Sequence, residues 1–465
     1  MSLYNHIYNA SPVWLQNILV SLYGWQWNKR RFGGVFQTEL AAFKKRESYS
    51  NEQWKDYTNK ELVRILLHAY HHVPFYKEKW ETTGISIEAL QQITTDNLHR
   101  LPFLEKDDLR KFGKTSLLSD VKQQSGTFFL SSGTTGTPTA ILFSKTMHQK
   151  WSAAYEARVR NWAGVNRYMS RGMTGGRRVV SEASARAPFY RYNSIEKQIY
   201  FSAYHIAPDT VQDYVAAINK YRPDYLVGYA MSHYFLARLI KEKGLTVPAM
   251  RAIITSSEKL TQDMRDVLEQ VYQCKAYDGW SGVEACGLVS ECEHGSLHIS
   301  PDVGYVELLN EKGKPVLDGE IGEVVCTGFL NDNQPLIRYR IGDYMRFTNK
   351  KCDCGRQMPV VEEIIGRIED VVIGKDGREM VRFHGIFIGI DKIQKGQIVQ
   401  ETLNDITINV QVDGPLTVAE REVLTKRIYS QLKDVNVQIF EMKEIPCAAN
   451  GKFRAVVSKV KRVSL

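Results

Sequence analysis

The sequence predicts an α/β fold: a large body of several sheets with a helical N-terminal region, followed by a small α/β unit at the C-terminus. Three observations carry this. Helix-period and strand-period segments alternate from residue 210 to residue 300, as in parallel sheets that bind ligands at their strand ends. Phe128–Thr139 (FFLSSGTTGTPT) and the apolar run Ala140–Phe143 read as strand, polar loop and strand, with no room for a helix between them. After Gly366-Arg367-Ile368-Glu369-Asp370 a new pattern begins. The expected divisions are residues 1–125 (helical N-terminal region), 126–366 (α/β core) and 367–465 (C-terminal α/β unit).

A chain of 465 residues suits two to four domains at roughly 150 residues each. Its hydrophobic share of 43% is ample for a core. The net charge of +9 suits a polyanion, an acidic lipid surface or a phosphorylated substrate. No nucleic-acid partner is expected. No apolar run approaches the roughly 20 residues that span a bilayer. The first cationic pair, Lys29-Arg30, follows the apolar stretch and does not precede it, so no signal pattern is read and a cytoplasmic location is expected.

Residues 1–125 are expected to be mostly helical. Pro12–Trp25 (PVWLQNILVSLYGW) is apolar but short, with Gln16 and Asn17 inside it, and reads as a helix packed on the body. Trp14, Tyr23, Trp25 and Trp27 beside the basic run Lys29–Arg31 also fit an interfacial helix making a peripheral membrane contact. Leu62, Ile65, Leu66 and Tyr70 share one helical face, and Val73-Pro74 ends that helix. Lys106–Arg110 opens another.

The loop after Leu130 holds Ser131, Ser132, Gly133, Thr134, Thr135, Gly136 and Thr137, then Pro138 and Thr139. Its glycines permit backbone angles that side chains block, and its hydroxyls and N–H groups can close over a polyphosphate. It is not a P-loop, which needs Gly-Lys-Ser/Thr opening a helix. An ordinary Ser/Thr-rich turn is the alternative. Met147, Trp151, Ala154, Tyr155, Arg158 and Trp162 then recur at helical spacing. Between Arg158 and Arg191 lie eight arginines and a single acid, Glu182. That stretch reads either as a solvated basic face or as a pocket wall. In the second case Arg171, Arg177, Arg178 and Arg186 would give two-pronged bonds to an anionic substrate.

Farther on, Thr210–Lys220 and Ser232–Lys243 read as helices and Tyr225–Gly228 as a strand end. Arg251–Thr255 is a strand leading to Ser256-Ser257-Glu258, and Thr261 caps a helix to Tyr272. In the C-terminal unit Ile406, Ile408, Val410 and Val412 alternate as a strand. Thr417 and Glu420 form a capping box for a helix to Lys433, and Val435, Val437 and Ile439 make a second strand.

Phe128–Thr139 resembles the phosphate loop of adenylate-forming enzymes, which join a carboxylate to AMP. Tyr277–Glu284 (YDGWSGVE) is similar to that family's aromatic-Gly-x-Thr/Ser-Glu segment, and Ile337–Asp343 (IRYRIGD) to its R-Y-R-x-x-D. Gly366-Arg367 resembles its hinge, and Ala449–Arg454 (ANGKFR) its Gly-Lys loop. Val73–Tyr76 and Leu101–Leu104 look like the entry region of the phenylacetate–CoA ligase and CapK-type branch. The resemblance implies that residues 131–137 cradle the phosphates of ATP. It puts Ser257, Glu258, Asp278, Gly279, Trp280 and Ser281 around the adenine, with the Trp280 ring lying on the base. It gives Mg²⁺ to Glu284, the ribose to Asp343 and Arg367, the hinge to Glu369, and catalysis to Lys452 on a mobile lid. Thr137 stands where a lysine is usual, Ser281 replaces a glycine and Val283 replaces a hydroxyl residue.

Seven cysteines is an odd number, and in a cytosolic chain they point to metal or plain thiols before disulfides. Cys292, Cys352 and Cys354 with one imidazole make the Cys₃His set of closed structural zinc sites, and His298 is favoured over His294 as the fourth ligand. Plain core thiols, with Cys286 nearby, are the alternative.

The resemblance implies an enzyme: an AMP-producing ligase that forms an acyl-adenylate and pyrophosphate, then passes the acyl group to an acceptor. An amine acceptor comes first, with a sugar acid or nucleotide-sugar as the carboxylic acid. The thiol of CoA comes second. A non-catalytic ATP-binding scaffold comes third, given Thr137, Ser281 and Val283.

Overall fold

The computed structural model describes residues 8–121, 126–130, 138–177, 179–180, 186–366, 372–375, 379–380, 386–387, 390, 392–445 and 456–460. The N-terminal region is helical, as expected, with its longest helices at Val13–Phe32 and Asn51–His72. Ser50 opens the second with a capping box, and Leu62, Ile65 and Leu66 are buried on it. It stops at Val73 because Pro74 disfavours helix at the residue before it; Pro74 then starts the helix Pro74–Thr82, where its missing N–H costs nothing. The first helix runs past Trp25 to Phe32, with Lys29, Arg30 and Arg31 at the negative end of its dipole.

Gly126–Leu130 and Ala140–Ser144 form the expected antiparallel hairpin, with Leu130 opposite Ala140. The helix after it is Lys145–Tyr155, which widens into a π turn over Glu156–Arg160 before Trp162.

Two sheets build the body. The first runs Tyr190–Asn193, Gln198–Ser202, Arg171–Gly175, Tyr225–Tyr229, Ala252–Ser256, Ala276–Tyr277 across its six strands. Only the edge pair at Tyr190–Asn193 is antiparallel, so the alternating pattern led to the right sheet type. Thr261 caps Gln262–Tyr272 as expected, accepting from Met264 N at 3.3 Å. The second sheet has seven antiparallel strands, in the order Gly304–Leu309, Ile321–Gly328, Tyr339–Phe347, Val360–Gly366, Leu297–Ile299, Leu288–Glu291, Gly279–Ser281. Sequence reasoning did not foresee its extent. Several strands are short and two pairings slip at bulges, which breaks the two-residue period.

The C-terminal unit has a four-stranded sheet, Asn436–Met442, Asp405–Val412, Ile393–Gln400, Val456–Ser458, and the helix Val418–Leu432 with its Thr417–Glu420 capping box formed. Ile398, Ile406, Ile408, Val410, Leu424 and Ile428 give it a core of its own. No helix among the described residues is long and apolar enough to cross a membrane.

Candidate active site

Asp278 is the residue at which the chain passes from one sheet to the other. Ala276–Tyr277 is the edge of the six-stranded sheet and Gly279–Ser281 the edge of the seven-stranded one. Glu291 fastens this crossing: its Oε2 accepts from Asp278 N at 2.7 Å, and its own N donates to Asp278 O at 3.0 Å. Arg265 holds Glu291 in turn at 2.9 Å. Burial among these groups pushes the Asp278 carboxyl up to about 7, against the pull of the Gly279 N–H that it accepts.

Two of the residues expected around the nucleotide are bonded to each other beside this seam, and a third is buried nearby in sequence. Trp280 Nε1 donates to Asp343 Oδ2 at 2.8 Å. Glu284 is buried, and its Oε1 has no hydrogen-bond partner among the described residues. Gly282 makes room for that carboxylate, since a Cβ there would lie 2.3 Å from Glu284 Oε2 and 3.2 Å from Ile341 Cδ1. Ile341 lies on the strand Tyr339–Phe347, two residues before Asp343 and within the bulge opposite Val324. A buried carboxylate oxygen without a donor suits a cation, because an uncompensated charge there is costly.

Trp280 is 6% exposed and belongs to the main core. What it presents to the site is the N–H that holds Asp343. Ser257 and Glu258 follow the strand Ala252–Ser256, at a strand end as expected. Ser257 has φ of 72°, and Glu258 Oε2 accepts from Met231 N at 2.9 Å, which ties the loop to the start of the helix Ala230–Glu242. Residues 131–137, Arg178, Arg367, Glu369 and Lys452 lie outside the described residues.

Gln334 is a positioning residue that sequence reasoning missed. Fully buried, it accepts from Leu142 N at 2.7 Å and donates to Gly113 O at 2.7 Å and Ala140 O at 3.0 Å. Asn331 adds a bond to Leu142 O at 3.0 Å. Together they fix the second hairpin strand beside the segment that leads to Asp343. The signal in the sequence is only the polar run Asn331–Gln334 ahead of Pro335, which reads as a plain turn.

Half of the eight arginines in the arginine-rich stretch form neither a solvated face nor a pocket wall. Arg158, Arg160, Arg171 and Arg191 are buried. Arg158 pairs with Glu47 at 2.6 Å and Asp302 at 2.9 Å, and Arg160 with Glu156 at 2.8 Å. Arg171 pairs with Glu196 at 3.3 Å, which Arg31 also holds. The expectation that Arg171 faces an anionic substrate is corrected here: its charge is balanced inside the fold. Arg177 is exposed, 5.1 Å from the Tyr23 ring and 5.6 Å from that of Tyr200, and Arg186 is exposed.

The proposed metal ligands do converge. The ligand atoms of Cys292, His298, Cys352 and Cys354 all lie within 4.8 Å of one another. Cys292 follows the strand Leu288–Glu291 and His298 lies on its antiparallel neighbour, opposite Ser290. Cys292 Sγ is 3.6 Å from Cys352 Sγ, and Cys354 Sγ is 3.4 Å from His298 Nε2. Sulfurs bound tetrahedrally at about 2.3 Å would sit ~3.8 Å apart, so the spacing fits one shared Zn²⁺. His298 Nδ1 faces Met358 O at 3.2 Å; a carbonyl can only accept, so that nitrogen carries the proton and Nε2 points its lone pair at the cluster. Trp54, Trp162 and Met358 pack around the thiols, and Arg356 crosses to Glu293 at 2.9 Å.

Comparison with known proteins agrees with this architecture. The family described as "CapK C-terminal domain" matches residues 372–459. The chain is 25% identical to protein CapK of Staphylococcus aureus over 469 residues, covering 98% of this chain and 100% of CapK. It is 24% identical to phenylacetate-coenzyme A ligase of Thermus thermophilus, covering 91% of this chain and 99% of that protein. Among solved structures, 2-hydroxyisobutyryl-CoA ligase with 2-HIB-AMP and CoA in the thioesterification state superposes with a TM-score of 0.58 at 20% identity, covering 89% of this chain and 91% of that one. Its postadenylation state with R3-HIB-AMP gives 0.57 at 19% identity, over the same shares. The fold is that of the adenylate-forming ligases. Along nearly the whole chain the sequence is similar to CapK and to the Thermus phenylacetate-coenzyme A ligase.

Proposed function

We propose that the protein is an ATP-dependent ligase that activates a carboxylic acid. In the first half-reaction a carboxylate oxygen attacks the α-phosphorus of ATP. The bond to the β-phosphate oxygen breaks, and pyrophosphate leaves an acyl-adenylate. In the second half-reaction the acceptor's nucleophile attacks the acyl carbonyl, gives up its proton, and AMP departs. The observation that carries this reading is the bond between Trp280 and Asp343 beside the seam of the two sheets, with the buried Glu284, whose Oε1 has no hydrogen-bond partner among the described residues, following Trp280 by four residues. Asp343 accepts from the ribose hydroxyls, and Trp280 orients it. Glu284 holds Mg²⁺, which when bound offsets the charge of the phosphates. Ser257, Glu258, Asp278, Gly279 and Ser281 line the adenine side. The roles of residues 131–137, Arg367, Glu369 and Lys452 rest on the family resemblance alone. Lys452 stabilises charge as the carboxylate oxygen meets phosphorus. Zn²⁺ at Cys292, His298, Cys352 and Cys354 clamps two loops of the seven-stranded sheet without touching substrate.

For the acceptor, we take the CoA thiol first. Two solved neighbours of this fold are 2-hydroxyisobutyryl-CoA ligase with CoA bound, and the buried pairing of Arg158 and Arg171 weakens the argument for a charged sugar acid. Transfer to an amine is the second reading; it is favoured by the CapK match, both along the chain and in the C-terminal unit. ATP–pyrophosphate exchange across a panel of aryl, small aliphatic and uronic acids tests activation. Adding CoA or an amine to the loaded enzyme then separates the two transfers. Absence of exchange with every acid would leave the scaffold reading. Lys452→Ala should lower exchange by about a hundredfold or more while ATP still binds.

A further inference from the structure

The helix Val13–Phe32 docks through a row of polar bonds, with Val20, Trp27 and Phe32 packing on the body among them. Arg191 Nε donates to Gln16 Oε1, and Tyr192 N donates to Asn17 Oδ1 at 3.0 Å. Ser194 N donates to Ser21 Oγ at 3.1 Å, Gly24 lies against Asn193, and Arg31 pairs with Glu196. The opposite face carries Trp14 (64% exposed), Ile18 (47%), Leu22 (60%) and Trp25 (50%). Their spacing of four, four and three residues makes a single stripe. Ile195, 52% exposed, sits beside Ser194 on the turn held to Ser21 and widens it. A surface helix ordinarily turns its large apolar side chains to the core, whereas Trp14, Ile18, Leu22 and Trp25 face outward. Such a patch marks a surface that another body covers.

The rim says which body. The helix contains no Asp or Glu. Lys29 Nζ stands 3.8 Å from the centre of the Trp25 ring, and the exposed Arg177 stacks at 5.1 Å on Tyr23. An apolar stripe ended by two tryptophans and edged by cations suits a lipid interface, where indole rings sit at headgroup depth and cations meet phosphate. A symmetric contact with a second copy would instead set this cationic rim against itself. We propose that this face lies on an anionic bilayer surface, with the helix in the plane of the interface and its polar side fixed to the protein. From Trp14 to Trp25 the stripe is about 16 Å long, enough to lie on a membrane and too short to cross it.

The full-length protein is mixed with vesicles of phosphatidylcholine alone and of phosphatidylcholine with phosphatidylglycerol, then sedimented. We expect binding to the anionic vesicles, a blue shift of tryptophan emission, and release by high salt. The double variant Ile18→Glu, Leu22→Glu should lower partitioning by at least about tenfold with an unchanged Tm, since both side chains are exposed. Lys29→Glu should weaken binding at low salt. No binding by the unaltered protein, or equal binding by the double variant, overturns the proposal. A dimer that the double variant dissociates, seen by sedimentation equilibrium without lipid binding, overturns it in favour of a second copy.

Discussion

Trp280 Nε1 and Asp343 Oδ2 are joined by a 2.8 Å hydrogen bond that spans 63 residues of sequence and links two strands of the seven-stranded sheet. Bonds to a charged acceptor are worth about 1.5–3 kcal/mol. Trp280→Phe keeps the buried ring and removes the donor. We expect ATP to bind about tenfold more weakly, with the fold intact, as read by titration calorimetry. An unchanged Kd would show that Asp343 needs no such anchor.

Glu284→Gln tests the cation. Its Oε1 is buried without a partner among the described residues, so neutralising the carboxylate relieves a desolvation penalty, and thermal stability should hold or rise. Pyrophosphate exchange should fall about a hundredfold, with Mg²⁺ required at higher concentration. A variant that loses stability but keeps its Mg²⁺ dependence would make Glu284 a structural residue.

Cys352→Ser should cost the protein its zinc and lower its Tm, because metal binding to a preformed Cys₃His set is folding free energy. Elemental analysis of the purified protein should find one zinc per chain. Well-folded, active protein with no metal would leave the four residues as a thiol cluster in the core.

Arg171→Met leaves Glu196 buried with one cation fewer. Removing one partner of a buried pair costs about 3–5 kcal/mol, and Arg31 keeps the loss near the lower figure. Denaturant unfolding should read this as destabilisation, with the KM for the acid unchanged. A raised KM at full stability would return Arg171 to the substrate.

His148 sets a pH dependence. Burial, with Arg31 and Arg30 nearby, holds its imidazole down at about 3, and Arg30 Nε donates to its Nδ1 at 3.2 Å. The unfolded imidazole titrates near 6.5. Between those values the unfolded chain binds a proton that the folded one refuses, so stability falls as pH drops through that window. His148→Gln keeps an acceptor for Arg30 and should flatten this part of the curve relative to the unaltered protein. Two curves of equal slope would mean that His148 is protonated in the fold.

Local rules were enough for much of this protein. Proline at position 74, the capping boxes at Ser50 and Thr417, and the strand–loop–strand around residue 131 depend on neighbours within a few residues, so the sequence by itself determined them. The same holds for the alternation behind the parallel sheet, and for the residue types of the Cys₃His set. Long-range pairing decided the rest. The acids that neutralise Arg158 stand far outside the Arg158–Arg191 window, at Glu47 and Asp302, so no local count could find them. The bond from Trp280 to Asp343 likewise joins strands that only the folded sheet brings together. The helix Val13–Phe32 carries one amphipathic pattern that fits either orientation, and only its bonds to Tyr192 and Ser194 decide which face meets the protein. Residue chemistry is local, but charge compensation and burial are sums over partners that only the folded chain brings together.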